Sequence, residues 1–206
     1  MSYDIELRNK HTNEVLFMND PHFVRGGTVP AVMDPVSGEL IQDTQREAHI
    51  NITYNYGKYY YEATDGDPRF AHDEVSAYYA DGTHGPIETE YGIRGLYGKT
   101  PAESIPMLTD MISRIEKKYK DKDGNWLVSE RIKAKYYDKN GDEVELTRAI
   151  FGNVEAVKKE VHYMVSEGDT KNYWEATACN AIRPLKDMIL MATDNILNTD
   201  AVWNGD

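Results

Sequence analysis

Cysteine is nearly missing from this chain of 206 residues, which has only Cys179. An internal disulfide and any cysteine-rich zinc site are thereby excluded, and a reducing compartment fits. Long apolar runs are missing too: no stretch approaches the ~20 consecutive apolar residues of a membrane-spanning helix. The opening MSYDIELRNK has neither the basic nor the apolar region of a signal peptide, so the expected location is the cytoplasm, with no membrane partner. Without a secretion signal the Asn51-Ile52-Thr53 sequon carries no weight.

Positive charge is scarce, with 23 Lys and Arg against 35 Asp and Glu and a formal net charge of -12. Such a molecule is not drawn to DNA, RNA or an anionic membrane, whereas a basic protein surface attracts it. Acidity that only keeps the protein soluble is the alternative. Catalytic signatures are absent as well: there is no GxSxG, HExxH or paired-cysteine pattern. The expectation is a protein that is not an enzyme and has no cofactor or metal.

What is present suits one domain over residues 1–206, since 40% of the chain is hydrophobic. YDIELRNKHTNEVLFM alternates as strand, turn, strand. A Gly- and Pro-rich stretch follows, with turn signals at Gly26-Gly27 and at Asp34-Pro35-Val36-Ser37-Gly38. Thr100-Pro101-Ala102-Glu103 is a capping box with Pro at the first helical position. It opens a helix striped by Ile105, Leu108, Ile112, Ile115 and Tyr119. A second helix is expected after Thr177, striped by Ile182, Leu185, Ile189, Ala192 and Ile196. Asn140-Gly141 between strand-like runs signals a hairpin; Val154–Val165 reads equally as helix or strand. The order of elements predicts an α+β fold, a mixed but mainly antiparallel sheet with two amphipathic helices packed on one face.

The segment NITYNYGKYYYEA holds five tyrosines. Ile52, Tyr54 and Tyr56 alternate with Asn51, Thr53 and Asn55, which predicts a half-buried strand. Tyr59, Tyr60 and Tyr61 break that period after Gly57, so at least one of them points away from the core. The next stretch, 65–90, carries seven carboxylates against Arg69 and reads as a solvated acidic insertion. Together these give a candidate partner-binding surface: Tyr59, Tyr60, Tyr61, Asp65, Asp67, Asp73 and Glu74. On this view replacing Tyr60 or its neighbours with Ala weakens partner binding without unfolding the protein.

Three motifs point to other chemistry. Gly98-Lys99-Thr100 at a helix start looks like the tail of a phosphate-binding loop, but the leading glycine position is Ile93, and helix capping by Thr100 explains it better. GIRGLYGKT can still contact a small ligand or nucleotide through Arg94, Gly98, Lys99 and Thr100. Tyr119 to Glu130 nearly fits an EF-hand loop, yet its first ligand position is the non-ligating Tyr119. His72, Asp73, Glu74 and His84 are chemically able to hold a metal, although their spacing matches no compact motif. Cys179 falls in the first turn of the second helix with no base indicated beside it.

YDIELRNKHTNEVL, INITYNYGKYYYEA, GIRGLYGKTPAESIPML and YWEATACNAIRPLKDMILMA together resemble a family of small acidic proteins of phages and other mobile elements, including type II-A anti-CRISPR proteins. The resemblance covers both ends and the middle, with 65–90 as an insertion. It implies a protein acting in the cytoplasm of a bacterial host, where it binds and inhibits an RNA-guided Cas nuclease of a type II system. It transfers no contact residue. An acidic inhibitor of this kind competes for the basic channels that hold nucleic acid.

Overall fold

A computed structural model of the protein describes residues 2–18, 31–33, 36–38, 40–42, 47–75, 79, 81–152 and 155–205. The strands are β1 (Ser2–Asn9), β2 (Ala31–Met33), β3 (Leu40–Gln42), β4 (His49–Thr53), β5 (Ala71–Val75), β6 (Ile87–Tyr91), β7 (Val128–Tyr137), β8 (Glu143–Val144), β9 (Val157–Ser166) and β10 (Ala201–Gly205). The helices are α1 (Gly57–Thr64), α2 (Pro101–Tyr119), α3 (Leu146–Phe151) and α4 (Ala178–Asp194). The fold is α+β. Its described strand pairs are all antiparallel, and they form several small sheets rather than one mixed sheet. The turn expected at Gly26-Gly27 lies outside the described residues.

β1 is the centre of the main sheet, in the order β10-β1-β4. Its alternation sends Tyr3, Ile5 and Leu7 to one face, where Ile50, Ile52 and Trp203 join them. On that face lie α2 and α4. Leu108, Met111 and Ile115 of α2 meet Ala181, Leu185 and Met188 of α4 in the same apolar cluster. Thr100 and Glu103 form the expected capping box, and Thr177 caps α4 by accepting from the Asn180 N–H at 3.2 Å. Ile196, expected in the α4 stripe, falls beyond the end of the helix and is exposed.

The tyrosine segment departs from the strand expected there. β4 ends at Thr53, whose hydroxyl accepts from the Asn55 N–H and opens a 3-10 turn over Tyr54–Tyr56 that runs into α1. Tyr56, Tyr59, Tyr60 and Ala63 then fall at helical spacing and are buried. Tyr60 donates to the Ala181 carbonyl at 3.0 Å, and Tyr56 donates to the Tyr173 carbonyl. The aromatics are core because the helix period, and not the strand period, selects the face they share.

The Asn140-Gly141 turn joins β7 to the short β8, as its sequence signals. β7 also pairs with β9 over ten residues, from Val128↔Ser166 to Tyr137↔Val157, which settles Val157–Val165 as strand. The EF-hand-like loop is a turn: the Asp121 carboxylate accepts from the Asp123 and Asn125 N–H groups, both at 2.9 Å. Trp126 bridges back to Lys120 just before β7 begins.

Candidate binding cleft

Within the acidic stretch the described residues include two paired strands, β5 and β6. β5 and β6 pair antiparallel from Ala71↔Tyr91 to Val75↔Ile87. Two anchors tie its base to the body. Phe70 is buried in the core, and the Asp67 carboxylate accepts from Arg69 and Arg114, each at 2.7 Å. These partners, Arg69 first, hold the Asp67 carboxyl well below the usual carboxylate range.

Beyond the hairpin the chain turns at Gly92, and here α1 and β6 come close. A Cβ built on Gly92 would lie 3.0 Å from the Tyr61 ring, and its φ of 155° disfavours a side chain in any case. Glycine therefore lets Tyr61 lie over the backbone. Tyr61, Glu62 and Asp65 from α1 and its C-terminal turn, with Glu90 and Tyr91 from β6, line an open cleft of about 550 Å³. Glu62 accepts from the Tyr119 hydroxyl at 2.5 Å and from Lys118 at 3.1 Å. Asp65 and Glu90 have no ion pair among the described residues. The cleft thus combines two phenol rings with carboxylates, two of which have no ion pair among the described residues.

Of the residues expected to contact a partner, Tyr61 (42% exposed), Asp65 and Asp73 are at the surface. Tyr59 and Tyr60 are buried and present no contact surface, which corrects their assignment. Asp67 is turned inward onto Arg69 and Arg114, so it too is withdrawn from a partner. Glu74 is half-buried and accepts from Arg94 at 2.9 Å. Asp73 points to the opposite face of the hairpin from His72 and Glu74, because successive strand residues alternate.

The residues of the ligand-binding alternative separate. Arg94 lies with Tyr3, Tyr54, Gly57, Lys58 and Tyr61 around a smaller hollow of about 260 Å³. Its guanidinium is 3.4 Å from the Tyr54 hydroxyl and lies over the Tyr3 ring. Partial burial, then the Arg131 charge, lowers the Lys58 ammonium below the usual lysine value. Gly98 and Lys99, by contrast, are zipped to β10 through backbone bonds with Trp203, and Thr100 is occupied in capping α2. The phosphate-loop likeness therefore reflects a strand contact and a cap.

Sequence reasoning missed Glu62, Glu90 and Tyr91. Glu90 and Tyr91 reach the cleft only through the pairing of β5 with β6, a non-local event. Comparison of the chain with protein-family models, curated proteins and solved structures gave no match.

Proposed function

We propose that this chain is a non-enzymatic binding protein that receives a basic side chain of a protein partner in the cleft between α1 and β6. The observation that carries this reading is the pairing of two tyrosine rings, Tyr61 and Tyr91, with the carboxylates of Glu62, Asp65 and Glu90 in one concave surface. An Arg or Lys entering it gains a charge-assisted hydrogen bond and a cation–π contact, the latter worth about 0.5–2 kcal/mol. Buried anchors of this type dominate protein interfaces. The net charge of -12 adds long-range attraction to a basic surface.

An RNA-guided nuclease of a type II CRISPR system is the partner that the sequence resemblance favours, since its nucleic-acid channels are lined with Arg and Lys. Size-exclusion chromatography with the guide-loaded nuclease, together with a DNA-cleavage assay, tests it. Co-elution that weakens with salt, and slower cleavage, are expected. Absence of both co-elution and inhibition removes this partner. Purification of the tagged protein from its host then identifies the basic protein that takes its place, or shows that none binds.

A second reading rests on the hollow around Arg94, where three tyrosines and two cations suit a small planar anion. A rise in melting temperature with nucleotides supports this use, because a ligand that binds only the native state stabilises it. Absence of any shift across a nucleotide panel removes it.

A further inference from the structure

We propose that the β5–β6 hairpin carries a site for a divalent transition metal, with His72 Nε2 and one carboxylate oxygen each from Glu74 and Glu90 as its protein ligands. Strand geometry makes the set. His72 and Glu74 are two residues apart and so share a face, and the antiparallel register puts Glu90 directly opposite His72. Their ligand atoms all lie within 4.8 Å of one another, and His72 Nε2 is 3.6 Å from the Glu74 carboxylate. A metal with bonds of about 2.0–2.2 Å holds its ligand atoms at most roughly 4.4 Å apart, so small side-chain rotations complete the site.

Two features outside the triad favour a cation. The Nδ1 atom of His72 is 3.4 Å from the Phe70 carbonyl, an arrangement that turns Nε2 toward the carboxylates. Metal-binding histidines are oriented in this way by a backbone acceptor on their second nitrogen. Secondly, Glu74 stands directly opposite Glu88, a like-charge pair that destabilises a ladder, on the same face as Glu90. Apart from the His72–Glu74 contact, Arg94, at 2.9 Å from Glu74, is the one group that the described ion pairs bring to these three carboxylates. A divalent ion held by Glu74 and Glu90 relieves the remaining repulsion. One imidazole with two carboxylates suits zinc, manganese or cobalt, whereas soft copper(I) prefers sulfur and calcium prefers an all-oxygen shell.

The site shares only Glu90 with the partner cleft and stands without it. Titration calorimetry of the chelator-stripped, dialysed full chain with zinc chloride, repeated with manganese and cobalt chloride, tests the proposal. One ion is expected per chain, with His72→Gln and Glu90→Gln each weakening binding about tenfold or more. Circular dichroism melts check that both variants fold. Asp73→Asn, on the opposite face, leaves metal affinity unchanged. His72 does not line the partner cleft, so loss of metal in His72→Gln is read separately from partner binding. No heat with any of the three ions, or zinc binding undiminished in both folded variants, overturns the proposal.

Discussion

The Tyr59 hydroxyl donates a 2.7 Å hydrogen bond to the Glu167 carboxylate, which lies 108 residues further along the chain and is wholly buried. Arg131 of β7 donates to the same carboxylate and to the Tyr59 oxygen, and the Ala178 N–H at the start of α4 donates to it at 2.8 Å. One carboxylate therefore ties together α1, the β7–β9 ribbon and α4. A buried anion is tolerated because its oxygens are satisfied by donors from each element.

Glu167→Gln should destabilise the protein by about 3 kcal/mol at neutral pH, as expected when one member of a buried ion pair is removed. Burial pushes the Glu167 carboxyl up, but the hydrogen bonds from Ser129, Tyr59 and Ala178 and the Arg131 charge outweigh it, and the group titrates below its ordinary value. A depressed carboxyl adds stability that is full above the unfolded-state value of about 4.3 and is lost as pH falls through the lower folded value. Urea unfolding of both proteins at a series of pH values should show their difference shrinking on acidification. A difference independent of pH would remove the titration argument.

Tyr60→Ala and Tyr61→Ala should separate fold from binding. The first empties a buried position and removes the hydroxyl's hydrogen bond to the Ala181 carbonyl, at a cost of about 3–5 kcal/mol. The second removes an exposed ring and should leave stability within about 1 kcal/mol while weakening partner binding at least tenfold. Thermal melts and a binding titration on both variants distinguish them. The sequence-based expectation that Tyr60 can be replaced without unfolding is corrected by its burial.

Gly95→Ala should loosen the hairpin. A Cβ on Gly95 would lie 2.4 Å from the Phe70 Cα and carbonyl oxygen, which are backbone atoms and cannot rotate away. Overpacking of this kind costs about 1–3 kcal/mol. Hydrogen exchange over residues 67–75 should accelerate more than in α2; uniform protection across both would contradict it.

Thr100→Ala should cost about 1 kcal/mol through loss of the reciprocal cap. Thr100 accepts from the Glu103 N–H, and the Glu103 carboxylate accepts from the Thr100 N–H at 2.8 Å. The urea midpoint should fall with an unchanged slope, since the surface exposed on unfolding is the same.

Elements with a local signature were legible in the sequence. The caps at Thr100 and Thr177, the alternation of Tyr3, Ile5 and Leu7, and the Asn140-Gly141 turn each carry their geometry within a few residues. α1 was concealed by two competing periods. Ile52, Tyr54 and Tyr56 alternate as a strand, and Gly57 reads as a break, yet Tyr56, Tyr59, Tyr60 and Ala63 carry the i, i+3, i+4, i+7 pattern of a helix. In the cleft, Tyr61 and Asp65 were legible because they are adjacent to the acidic stretch. Pairing between distant segments decides the rest: β5 with β6 supplies Glu90, and the contact with Arg114 withdraws Asp67.

The placement of β1 between β4 and β10 governs the order of assembly. Ile5 pairs with Ile50 on one side and with Gly205 on the other. A nascent chain that has not reached residue 205 has β1 bonded along one edge only, and its core lacks the buried Trp203 ring. Contacts spanning so much sequence close late and slow the folding of a domain. Until synthesis passes that point, the unpaired edge of β1 is the place where another strand, or a chaperone, finds its opening.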